Sequence, residues 1–206
     1  MRFLFRSKKN MLTEELAKGF PRELKDDVKA VCKTILINDK ACGYLLYGGK
    51  STEWKLSTGE KQEIPYRIYV SDKLLFTGKF TERQKLIYHC IFSRSYDGYI
   101  REKHIKALLD HDLPEWAIPY IIKVCDEYVI EILETVYQKL KDKNCKIYKA
   151  VCSNNFKLIE SGHSRMISYW NEYYRYSYYK YNDYIGKKLY SECFGYSKTG
   201  QKSIKF

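Results

Sequence analysis

The chain has 206 residues, 45% of them apolar and 16% aromatic, and a formal charge of +12. That much apolar and aromatic side chain excludes a disordered polymer, and the length supplies a core that folds without covalent staples. Seven cysteines, an odd number with no C-x-x-C pair, exclude a disulfide framework and fit a reducing compartment.

The opening Met1-Arg-Phe-Leu-Phe-Arg-Ser-Lys-Lys-Asn is basic, but no apolar stretch of the kind found in a secretory leader follows it. Thr13-Glu14-Glu15 before Leu16 reads as a short capped helix that stops at Gly19-Phe20-Pro21, and Pro21 suits the first turn of the next. Leu24, Val28, Val31 and Ile35 then share one helical face, predicting an amphipathic helix over 22–37. Residues 1–40 are therefore expected to be N-terminal helices.

Residues 41–76 change character. Tyr44–Tyr47, Glu53–Leu56 and Tyr66–Val70 read as short strands, separated by Gly48-Gly49 and by a turn at Thr58-Gly59-Glu60. Pro65 suits the start of an edge strand. The expectation is a two- or three-stranded sheet near the N-terminal third.

Helical signals return at Thr81, where Thr81-x-x-Gln84 forms a capping box before Leu86, Ile87, Cys90 and Ile91. Asp97 before Gly98 caps a helix carrying Ile100, Ile105, Leu108 and Leu109. Asp112-Leu-Pro-Glu115 reads as a further capping box. The widest apolar stripe follows, from Ile118 through Ile121, Ile122, Cys125, Val129, Ile132 and Val136 to Leu140, with a kink or second start at Pro119. Lys123, Glu127, Glu131 and Glu134 are assigned to its polar side. Residues 81–140 thus predict an antiparallel helical layer. Lys139–Lys149 reads as a charged loop, Phe156–Glu160 as a short helix, and Ser164 as the start of a long one. The region 153–195 is a Tyr-rich helical region, and 196–206 a frayed polar tail. The fold class expected is mainly α with a small β insert (α+β), in a single domain spanning 1–206.

No run reaches the roughly 18 apolar residues that a membrane span takes, so no membrane partner and a cytoplasmic location are expected. Charge is uneven: residues 139–206 hold 14 basic and 5 acidic side chains, whereas 11–138 net −1. Basic ends on a near-neutral body point to a polyanion. A codon usage rich in Lys, Tyr and Ile would raise basicity equally.

No catalytic set, metal site or cofactor motif assembles. His89, His104, His111 and His163 lack companion ligands at metal spacing and are read as structural or surface groups. Gly48-Gly49-Lys50-Ser51-Thr52 lacks the first glycine of a phosphate loop, since Tyr44 stands in its place. Arg94, Asp97 and Arg101 around the Ser93–Lys103 turn are read as helix ties. The Tyr-rich segment is the exception. On a continuous helix, Ile167, Trp170, Tyr174, Tyr178, Tyr181, Ile185 and Leu189 form an inward stripe, and Tyr169, Tyr173, Tyr176, Lys180 and Lys187 a second face. With Arg165 and Arg175 nearby, that face could stack bases and neutralise phosphates of a single-stranded nucleic acid. The alternative is tyrosines that border a core with their hydroxyls in water. Two roles are therefore expected: a non-enzymatic module that binds a protein partner or itself, or a nucleic-acid binder using this face.

Overall fold

The structure, a computed structural model, describes residues 2–35, 50–70, 72 and 80–196, and the predicted strand at Tyr44–Tyr47 lies outside them. Among the described residues the protein is mainly helical with one two-stranded antiparallel sheet, the α+β class expected. It divides into two compact units, Met1–Tyr120 and Ile121–Phe206. Among the described residues no helix is long and apolar enough to cross a membrane.

In the first unit, α1 spans Arg2–Ala17, and a 3-10 turn at Arg22–Leu24 leads into α2, Lys25–Ile35. The helix expected around Thr13 is the end of this longer α1. Thr13 Oγ1 donates to the Lys9 carbonyl one turn back and so does not act as a cap. The chain turns at Gly19 because a Cβ there would land on the Tyr120 hydroxyl, which donates to the Gly19 carbonyl at 2.9 Å. Leu24, Val28, Val31 and Ile35 are buried, the face their spacing predicts.

The sheet pairs β1, Ser51–Lys55, with β2, Lys61–Pro65, around a turn in which Gly59 has a φ of +85°. This φ favours glycine. The strand after the Thr58–Glu60 turn was expected at Tyr66–Val70, with Pro65 at its start; instead Pro65 ends β2, and Ile68 makes only an isolated parallel bridge to Ser95. The polar Lys61-Gln62-Glu63 conceals the strand from a hydrophobicity reading. Gln62 is nevertheless buried, because its Nε2 donates to the carbonyls of Gly19 (2.8 Å) and Trp116 (3.2 Å).

Helices α3, Glu82–Phe92, and α4, Gly98–Leu109, begin as predicted, at the Thr81–Gln84 capping box and at Asp97. Helix α1 packs on α2, α2 on α3, and α3 on α4. The Asp112–Glu115 box does not form: Pro114 has no side-chain cap, and the Glu115 carboxylate accepts from the Ser57 N–H and hydroxyl in the hairpin turn. Between α3 and α4 the wholly buried Arg94 donates to the carbonyls of Pro65 and Tyr66. Arg101 likewise donates to those of Ser95 and Tyr96.

Helix α5, Ile118–Val124, starts beside Pro119 as expected and carries the chain into the second unit. The apolar stripe does not continue as one helix. It breaks over Cys125–Val129 and resumes as α6, Ile130–Leu140. At the break Lys123, Asp126 and Glu127 are buried, which corrects the assignment of Lys123 and Glu127 to a solvated face. Helix α7, Lys146–Asn154, begins inside the stretch read as a loop, and α8, Phe156–Tyr169, merges the two helices expected there.

Beyond α8 the predicted long helix is interrupted. A wide π-helical turn, Trp170–Tyr174, is followed by a reversal, a 3-10 turn at Tyr181–Asp183, the short α9, Ile185–Lys188, and a second π-helical turn, Leu189–Cys193. Two contacts account for this. Trp170 Nε1 donates to the Tyr178 carbonyl at 2.9 Å, folding the chain back on the helix end. Gly186 packs so closely that a Cβ would come within 2.7 Å of the Tyr184 ring and 2.9 Å of Met166. The core of this unit gathers Ile132, Val136, Val151, Ile159, Met166, Leu189 and Tyr190. All six described cysteines are buried free thiols, and burial pushes that of Cys32 up to about 12.

Candidate functional site

Among the described residues two clusters carry chemistry, one in each unit. In the second unit, the π-helical turn sorts its aromatic side chains into those that anchor and those that present. Tyr174 donates its hydroxyl to the Tyr128 carbonyl, Tyr178 to Glu134 at 3.0 Å, and Tyr181 pairs with His163 at 3.1 Å. The Trp170 and Tyr181 rings meet edge to face at 5.1 Å. These half-buried groups, with the buried Tyr184, pin the reversal. Tyr173, Tyr176 and Tyr179 point outward and are 59%, 99% and 82% exposed.

The predicted site residues scatter accordingly. Tyr169 and Tyr173 stack at 6.2 Å, and both approach Tyr128 from across the α5–α6 break. Arg175 lies 5.9 Å from the Trp170 ring and donates to Asn171 at 3.1 Å. Tyr176 and Lys180 are exposed on the reversal, while Lys187 sits half-buried on α9, so the break removes it from the helical face on which it was placed. Arg165 donates to Asp126 and to Ser161 Oγ, and Lys123 Nζ reaches the same Asp126 carboxylate at 3.0 Å. The basic groups thus do not line one face. Tyr179, one residue from Lys180, joins the exposed set and was missed because helical geometry assigned it to neither face.

The first unit builds an acid–imidazole array that spacing could not reveal. Asp72 is half-buried with its side chain nearly covered, and it accepts from Lys103 Nζ at 2.7 Å and from the Tyr88 hydroxyl. His104 Nε2 lies 3.1 Å from the same carboxylate, and His104 Nδ1 lies 2.8 Å from His89 Nδ1. A carboxylate can only accept, so His104 donates from Nε2. With both rings neutral, His104 Nδ1 then accepts and His89 Nδ1 donates, which leaves the lone pair of His89 on Nε2. Burial alone would raise the Asp72 carboxyl, but hydrogen bonds from His104, Lys103 and Tyr88 outweigh it and hold it below the usual carboxylate range. Burial is the main cause that lowers His89 to about 4; protons on His104 or His111 and the charge of Lys103 push the same way, and Asp72 opposes them.

Chemically, the array orders two imidazoles and can pass a proton along them. Among the described residues no hydroxyl or thiol hydrogen-bonds His89, and no cluster has the ligand set of a metal site. Sequence separation hid it: Asp72 lies 32 residues from His104, and only the fold brings the two together. No protein-family model, curated protein or solved structure matches this chain.

Proposed function

We propose that the protein binds single-stranded nucleic acid through the tyrosine-bearing reversal after α8. The observation that carries this reading is the presentation of Tyr173, Tyr176 and Tyr179 as exposed rings within an eight-residue stretch, 173–180, that also holds Arg175 and Lys180. Each base stacked on such a ring contributes about 1–3 kcal/mol, and each cation neutralises a phosphate. The reading rests on Tyr173, Arg175, Tyr176, Tyr179 and Lys180. Tyr169 extends the stack, Arg165 is paired with Asp126, and Lys187 stands apart on α9. The basic C-terminal third and the pI near 9.2 agree with a polyanionic ligand.

Fluorescence anisotropy with labelled oligo(dT) tests this. Binding should weaken steeply with added salt, and the triple change Tyr173→Ala, Tyr176→Ala, Lys180→Ala should lower affinity by about tenfold or more. An unchanged affinity in that variant discards the proposal.

Self-association is the second reading, favoured by the Tyr128–Tyr169–Tyr173 ring cluster, because tyrosine is enriched in protein interfaces. A mass that grows with concentration in sedimentation, and reverts in Tyr128→Ala with Tyr173→Ala, would favour it over strand binding.

A further inference from the structure

A second, independent surface lies in the first unit, where Lys50, Tyr66, Arg67, Tyr69 and Tyr96 line a cavity of about 510 Å³. That volume falls in the range of small-molecule sites. Among the described residues its lining holds two cations, three phenol rings and no carboxylate. The Tyr69 and Tyr96 rings are stacked nearly parallel, 5.2 Å apart with 8° between their planes, and Tyr96 is 56% exposed. The Arg67 guanidinium lies over the Tyr66 ring, 4.6 Å from its centroid. Arg67 Nη1 also donates to the Tyr66 carbonyl at 2.8 Å, which anchors the side chain; a guanidinium carries five N–H donors, so others of its fork can serve phosphate oxygens.

The backbone under these rings is held from inside. Arg94 Nη2 donates to the Tyr66 carbonyl at 2.6 Å, and Arg101 Nη1 to the Tyr96 carbonyl at 3.0 Å. The Ile68 N–H donates to the Arg94 carbonyl, and the Tyr96 N–H to that of Ile68, so the two tyrosine-bearing segments are tied to each other. The backbone that carries the rings is therefore set before any ligand arrives, which limits the ordering cost of binding.

We infer that this cavity binds a nucleoside 5′-phosphate unit, its base stacked on the Tyr69–Tyr96 pair and its phosphate held by Arg67 and Lys50. The same chemistry is offered by a free nucleotide and by one residue of a single strand. A neutral aromatic would leave the cations unused, and inorganic phosphate would leave the rings unused.

The test is calorimetric titration of the full chain with adenosine 5′-monophosphate, adenosine, inorganic phosphate and 5′-phosphorylated oligo(dA). It is done in the Tyr173→Ala, Tyr176→Ala, Lys180→Ala background, so that loss of the reversal and loss of the cavity are read separately. The nucleotide should bind saturably, with adenosine and phosphate each about tenfold weaker. Tyr96→Ala and Arg67→Gln should each cost about tenfold, with Tyr96→Phe restoring binding and the circular-dichroism melt unchanged. Nucleotide binding without strand binding assigns the cavity to a free nucleotide, and strand binding at least as tight assigns it to a strand residue; either supports the inference. It is overturned if neither the nucleotide nor the strand binds saturably. It is equally overturned if phosphate binds as tightly as the nucleotide, or if Tyr96→Ala and Arg67→Gln change nothing.

Discussion

Both units display tyrosines, but they place buried charge behind them in different ways. In the first unit, Arg94 and Arg101 are directed at backbone carbonyls, and the resulting bonds set the path of the chain beneath Tyr66 and Tyr96. In the second, Lys123 and Arg165 share the Asp126 carboxylate where the α5–α6 stripe breaks, and the presented rings are pinned by other aromatic groups. A buried cation satisfied by carbonyls fixes geometry, whereas a buried ion cluster chiefly cancels the cost of its own burial. The two arrangements should therefore fail differently.

The largest expected effect comes from Asp126→Ala, which takes from Lys123 and Arg165 the carboxylate they share. Denaturant unfolding should show a loss of about 3–5 kcal/mol, the cost of breaking a buried pair by removing one partner. A loss below about 1 kcal/mol would mean that the cluster is solvated and the contrast between the units is false. Next comes Arg94→Ala, which strips donors from the Pro65 and Tyr66 carbonyls and should cost about 2–4 kcal/mol. Unlike Asp126→Ala, it should also abolish nucleotide binding in the cavity while leaving oligo(dT) binding by the reversal unchanged.

Acid sharpens the comparison further. His89 is held near 4 in the folded chain against an ordinary value of 6.5, so the unfolded chain takes up the proton first. The stabilisation is intact above pH 6.5 and is lost as pH falls from there towards 4, on the order of 2 kcal/mol given the partial exposure of His89. Asp72, also depressed, adds its loss at lower pH, below the ordinary carboxylate value. Unfolding free energies at pH 7 and pH 4.5 should differ less in His89→Asn than in the parent, and equal differences would refute the assignment. The smallest effect is Tyr184→Phe. The buried Tyr184 hydroxyl has no hydrogen-bond partner among the described residues, so its removal should be neutral or stabilising by about 1 kcal/mol. A loss of stability would indicate a bound water there.

Much of this was legible in the sequence, and where legibility ended is physically informative. Thr81 with Gln84, Asp97 before Gly98, and Gly59 in its turn act on residues two to four positions away, and each was placed correctly. The α5–α6 break was missed because no Gly or Pro marks it; the run Cys125–Val129 leaves the helix to bury charges whose partner, Arg165, is 39 residues from Asp126. The reversal after Tyr174 was missed because a Trp170 side chain bonding the Tyr178 carbonyl has no periodic signature. For the candidate site, composition pointed to the exposed tyrosines. The grouping with Lys187 on one face assumed a helix that the fold does not continue.

The thiols lend themselves to one more use. Cys32 and Cys90 are sealed inside the first unit, and Cys125, Cys145, Cys152 and Cys193 inside the second. A thiol-reactive dye reaches such sulfurs only when the surrounding structure opens. The order in which these positions become labelled, followed by peptide mass spectrometry, is thus a built-in clock that times the opening of each unit without any engineered probe.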